Sequence, residues 1–146
     1  MHATHVSRRS HATATSDLAS PVYQAYLALR TGFVVLPILA GADKFLNALT
    51  NWEEYLAPII PSTLHVSAAT FMRGVGVIEI IAGLLVAIVP RYAAYVVMAW
   101  LWLIIGNLLL KGEYFDVALR DLGLSIGAFA LARLAWAMHR AHATHD

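Results

Sequence analysis

Apolar residues fall along this chain in four long runs, at about residues 27–49, 67–89, 92–110 and 117–138, each interrupted only by isolated polar positions. Every run is close to 20 residues. At about 1.5 Å of rise per residue this matches roughly 30 Å of hydrocarbon when helical. A β-barrel strand needs only about ten residues, so the run length selects helices. The pattern predicts an all-α fold: an antiparallel, integral-membrane four-helix bundle spanning residues 23–138, with short hairpins and one longer outer loop.

Only Pro90-Arg91 separates the second and third runs, and only Lys111–Asp116 the third and fourth, which predicts two tight hairpins. Pro37 lies inside the first run and predicts a kink there, with the carbonyl it frees satisfied by neighbouring helices. The long connection, residues 50–66, mixes Trp52, Tyr55, Leu56, Ile59 and Ile60 with Glu53 and Glu54. Aromatics beside acids suit a membrane surface. The segment reads either as a short interfacial helix ending at Pro58 or as an ordinary loop. Residues 1–22 read as a disordered polar cytoplasmic tail and residues 139–146 as a His-rich cytoplasmic tail. Arg8 and Arg9 are followed by no apolar core until about Leu27, whereas a signal peptide places its core directly after its basic residues.

Composition sharpens the class. Of 146 residues 60% are hydrophobic and 13% charged, where soluble domains are about a quarter charged. Ten basic against nine acidic residues give no electrostatic case for nucleic acid. The absence of cysteine removes thiolate catalysis, iron–sulfur ligation and Cys-based zinc sites. Of the seven histidines, His2, His5, His11, His139, His142 and His145 lie in the tails and His65 in the long connection. No run contains one, so a bis-His haem between two helices has no ligands and no metal site is expected. Phosphate-cradling glycine loops and Ser-His-Asp sets are missing too, so the residues alone identify no enzyme and no covalently bound cofactor.

Basic residues outside the runs set the orientation. Arg8, Arg9, Arg91 and Arg140 fall on one side, and the other carries Lys111 with Glu53, Glu54, Glu113 and Asp116. The positive-inside rule then places both termini in the cytoplasm.

The residues that matter most are ionisable ones inside the runs, because a charge at a helix centre costs on the order of 3 kcal/mol even on the lenient insertion scale. They are Asp43 and Lys44 in the first, Arg73 and Glu79 in the second, and Arg120 and Asp121 in the fourth, joined by Asn107 in the third. Counting about 1.5 Å per residue, Asp43, Arg73, Asn107 and Asp121 lie roughly 6–8 Å inside the outer end and Glu79 roughly 17 Å. A polar layer at one level, with an acid beneath it, is therefore expected. Two readings follow. The charges are either a salt-bridge network that fixes helix register, or the lining of an outward-facing site for a quinone head group, a small polar ligand or a proton. Gly76 and Gly83 share the Glu79 face and predict close helix packing, as does Gly123-x-x-x-Gly127. Trp100 and Trp102 lie deeper than an interfacial belt requires. Four helices without an inverted repeat argue against a small-solute transporter; a homo-oligomer stays open.

Several of these residues occur in a recognisable order. Arg30-Thr-Gly32, Gly41-Ala-Asp43-Lys44-Phe45, Asn51-Trp52 and Tyr55-Leu56 precede Glu79-Ile-Ile-Ala-Gly83 and Arg120-Asp121-Leu122. This order, across most of residues 27–138, resembles the DoxX-like family of small bacterial and archaeal four-helix membrane proteins. Members are associated with membrane oxidoreductase assemblies, including a thiosulfate:quinone oxidoreductase and complexes handling oxidative stress. The resemblance implies an accessory subunit of a quinone-linked assembly in the bacterial cytoplasmic (inner) membrane, with a redox-enzyme partner. Thiol chemistry is not available to this chain.

Overall fold

A computed structural model describes residues 20–143, with side chains described to residue 140. Both tail expectations, 1–22 and 139–146, fall largely outside these residues. The described chain is all-helical. Helix α1 covers Pro21–Leu46, a 3₁₀ turn Trp52–Tyr55, α2 Ile59–Leu64, α3 Ala68–Ile88, α4 Pro90–Lys111 and α5 Phe115–Ala143.

Local chemistry sets the boundaries and explains where they depart from the apolar runs. Helix α1 starts at Pro21, six residues before the run, because proline at N1 has its φ preset and lacks the N–H that a first turn leaves orphaned. It stops at Asn47, whose φ of 49° puts it in the left-handed region that asparagine tolerates, while its N–H bonds the Asp43 carbonyl. Ser67 caps α3 by accepting from the Thr70 N–H at 3.1 Å. Val89 alone joins α3 to α4, and Pro90 again occupies a first-turn position. Gly112, at φ 78°, ends α4 and donates its N–H to the carbonyls of Leu108 and Leu109. Helix α5 runs past residue 138 to Ala143. The long connection corrects one expectation: helix does not end at Pro58 but flanks it, with the 3₁₀ turn before and α2 after.

The four long helices form two close pairs, α1 with α3 and α4 with α5, joined more loosely through α3–α4 and α1–α5. Helices α1 and α3 run antiparallel, since Gly41 meets Gly76, Val34 and Ile38 meet Gly83, and Arg30 donates to the Ala87 carbonyl. Their backbones nearly touch. A Cβ placed on Gly76 would stand 2.6 Å from the Gly41 carbonyl oxygen, and one on Gly41 would stand 2.5 Å from that of Gly76. Gly76 and Gly83 therefore do the packing their spacing predicts. Gly123 does not: it is exposed, a Cβ there would meet nothing, and only Gly127 faces a neighbour, the Phe33 ring.

Small side chains fill the interior, including Ala82, Ala93, Ala94, Ala128, Ala132 and Ala135, whereas Leu36, Leu39, Ile81, Leu103, Leu119 and Ile126 point outward and are exposed. Three helices, α1, α3 and α4, are long and apolar enough by length and composition to cross a membrane. The ends differ in charge. Arg91 lies over the rings of Tyr92 and Trp136, and Arg140 over Trp136. The opposite end holds Glu53, Glu54, Glu113 and Asp116.

The packing predicts opposite outcomes at two glycines. Gly76→Ala drives a Cβ against rigid backbone and is expected to destabilise by about 1–3 kcal/mol. Gly123→Ala is expected to be neutral or to stabilise by up to about 1 kcal/mol through helix propensity. Unfolding midpoints of the two purified variants, followed by circular dichroism, check this; equal losses would contradict the Gly41–Gly76 approach.

Candidate functional site

The site begins with the close approach of α1 and α3. Because Gly41 and Gly76 bring the backbones together, a lysine one turn further along α1 can reach across to α3. The Lys44 Nζ lies 2.6 Å from Glu79 Oε2, with the two side chains 2% and 10% exposed. Lys44 also donates weakly to the Ala40 carbonyl at 3.5 Å. Its remaining face is covered by the Trp52 ring, whose centroid is 3.6 Å from Nζ. The ammonium is held between a carboxylate and an aromatic face, a dry setting in which both interactions are strong.

Two other helices complete the surroundings. Asp121 of α5 is buried and lies within Coulombic range of Lys44 and Glu79. From α4, the Trp100 Nε1 is buried beside the Glu79 carboxyl but outside hydrogen-bond geometry, so it has no hydrogen-bond partner among the described residues. Lys44, Glu79, Trp100 and Asp121 thus bring one residue from each long helix to one place. The role of Trp100, not assignable from the apolar pattern, is to face this centre.

The expected polar layer divides into separate functions. Asp43 pairs with no base. Its carboxylate caps the end of α1 and the chain beyond, accepting from the Ala48 and Leu49 amides at 3.0–3.2 Å and from Trp52 Nε1 at 2.7 Å. Asn107 ties the outer connection to α4: its Oδ1 accepts from the Ala57 amide at 2.9 Å and its Nδ2 donates to the Tyr55 carbonyl at 2.7 Å. Leu56 and Ala57 are accordingly buried, and the Tyr55 ring sits 4.5 Å from that of Tyr114. Among the described residues the polar partner of Arg120 is its neighbour Asp121, at 3.3 Å, and its side chain is 65% exposed. Arg73 is exposed and makes no hydrogen bond or ion pair among the described residues.

Trp52 is the site residue that sequence reasoning missed. Its position in the connection marked it as interfacial, but Asn51-Trp52 follows Asp43-Lys44 closely enough for the ring to fold back over both.

Two spaces adjoin the pair. A polar crevice of about 30 Å³, room for one water, is lined by Lys44, Phe45, Asn47, Glu53, Ala69, Met72 and Arg73. A shallow groove of about 620 Å³ at the acidic end is lined by Glu53, Leu56, Pro58, Pro61, Ser62, His65, Val66, Ala68 and Lys111. Glu53 borders both. Among the described residues no three His, Asp or Glu side chains gather as a metal-binding group.

The chain matches no family model, no curated protein and no solved structure.

The pair has a thermodynamic signature. Lys44→Met or Glu79→Leu alone strands a buried charge and is expected to destabilise by about 3–5 kcal/mol. The double variant is expected to recover most of that loss. Unfolding midpoints across the four-protein cycle measure the coupling, and additive losses would mean that the two groups do not depend on each other.

Proposed function

We propose that this protein is a four-span integral membrane protein of DoxX-like type in the bacterial cytoplasmic membrane. In this reading it serves as an accessory subunit of a quinone-linked redox assembly, with Lys44–Glu79 as its polar centre.

Large apolar side chains outside and alanine and glycine inside support the membrane setting, because helices in lipid associate through small residues while bulky ones meet acyl chains. Helix α5 crosses with α4, against which it packs closely. The arginine-rich end, with Tyr92 and Trp136 at its rim, faces the cytoplasm, and the acidic end faces outward.

The observation that carries the functional reading is the Lys44–Glu79 pair, where all four helices converge. An ionisable pair at this depth is costly, and such groups mark ligand or proton sites in membrane proteins. The crevice beside the pair has no room for a quinone ring. The outer groove does; His65 and Lys111 line it, and Lys111, loosely paired with Glu113 at 3.4 Å, can exchange that partner for a ring carbonyl or a partner subunit.

A specific observation favours a second reading, a scaffold whose charges only fix helix packing: Lys44, Glu79, Asp43 and Asn107 are all already satisfied within the chain. Exchanging the pair (Lys44→Glu with Glu79→Lys) separates the readings. A scaffold keeps its fold and its redox partner's activity; a functional site keeps only the fold.

Two further outcomes are expected. Alkaline phosphatase fused after Gly112 is active and fused after Asp146 inactive, whereas three crossings would make the C-terminal fusion active. A water-soluble short-chain quinone quenches tryptophan fluorescence saturably, and Lys111→Gln weakens that binding by roughly tenfold, the effect of one charged hydrogen bond. Absence of saturable quenching in the native protein removes quinone from the proposal.

A further inference from the structure

At the end of the bundle away from Glu53 and Glu54, basic side chains have no acid to answer them. Over residues 20–40, 82–104 and 124–140 the only Arg, Lys, Asp or Glu side chains are Arg30, Arg91, Arg133 and Arg140. Arg30 is occupied, since it donates to the Ala87 carbonyl. Arg91, Arg133 and Arg140 make no hydrogen bond or ion pair among the described residues. We propose that these three arginines, gathered about Trp136, bind the phosphate of an anionic phospholipid in the cytoplasmic leaflet.

Both helices of the second hairpin build the platform. Tyr92, in the first turn of α4, packs edge-on against Trp136 of α5, with ring centroids 5.3 Å apart. Arg91, beside Tyr92, lies 5.5 Å from the Trp136 ring centroid, and Arg140, one turn further along α5, lies 6.0 Å from it. Two guanidiniums from different helices thus converge on one indole, where each gains a cation–π contact and repels the other. An anion beside the ring relieves that repulsion. A phosphodiester supplies it with two free oxygens, which suit the planar guanidinium fork. Arg133 extends the site. It is exposed and precedes Trp136 by three residues and Arg140 by seven, so the three share one stripe of α5. About 10 Å of helix separates Arg133 from Arg140, which sets it at acyl depth when α5 crosses the bilayer. A cation there is tolerated when its stem runs to the headgroups. Val96, one turn from Tyr92 on α4, is 56% exposed and continues the site as apolar surface for acyl chains.

The inference rests on the membrane reading of the preceding section and is independent of the redox one. Purified full-length protein in detergent is titrated with phosphatidylglycerol and with phosphatidylcholine, and bound lipid is read by native mass spectrometry. The anionic lipid is expected to bind at least about tenfold more tightly, and Arg91→Gln and Arg140→Gln each to weaken it by about fivefold, the worth of one basic residue near an anionic surface. Trp136→Leu leaves the charge unchanged and is expected to weaken the anionic lipid as well, because the arginines lose their platform. Arg73→Gln removes an exposed, unpaired arginine at the opposite end and is expected to leave lipid binding as it was. If a variant at the hairpin fails to fold, Arg133→Gln, on the exposed stripe, carries the same test. Equal affinity for the two lipids overturns the site, as does an equal loss with Arg73→Gln, which would mean that net charge alone sets the affinity. Displacement of the lipid by millimolar inorganic phosphate would make the ligand a free anion and overturns the lipid assignment. A protein that stays dispersed without detergent overturns the membrane reading itself, so the two failures are distinguishable.

Discussion

A lysine and a glutamate that meet at 2.6 Å, buried between α1 and α3, constrain almost everything around them. Neither charge has enough water to stand alone, so α1 and α3 must bring them together in one register. That register in turn requires two glycines at the crossing, because a single Cβ at Gly41 or Gly76 would strike the opposite backbone. The close approach and the ion pair are mutually dependent: the first gives Lys44 its reach, and the second fixes where along the helices the approach occurs. The long side chains that could otherwise slide past one another are held to one arrangement.

The helices themselves were legible in the sequence because run length and hairpin brevity speak directly to span and direction. Their ends were less so, since Pro21, Asn47 and Gly112 act through backbone geometry rather than hydropathy. The polar residues show where one-dimensional reasoning stops. Counting residues gives a height but no direction around the helix axis. It grouped Asp43, Arg73, Asn107 and Asp121 in one layer, though Arg73 faces outward while Asp43 and Asn107 serve backbone amides and carbonyls of the connection. Lys44 and Glu79, separated by 35 residues, form the actual pair. Gly123 and Gly127 repeat the spacing of a packing motif, but on a face where α5 meets only a phenylalanine ring. Gly76 and Gly83, seven residues apart on α3, meet backbone.

The two hairpins divide the work. Helices α1 and α3 hold the ion pair; α4 and α5 close over it with Trp100 and Asp121 and otherwise present an alanine-lined surface. The looser contacts between the hairpins leave the polar centre at their seam. Any partner or ligand that engages the acidic end meets the outer connection first, because Glu53, Pro58 and His65 all belong to it or border it.

That connection is tied down by a residue that does not yet exist when it is made. Asn107 follows the backbone atoms it grips by 50 and 52 positions, so during synthesis Tyr55 and Ala57 emerge long before their partner. Helices α1 and α3 can therefore pair, but the connection between them stays undocked until α4 has been delivered beside it. Asn107 thereby makes docking of the connection conditional on a helix made later in the chain.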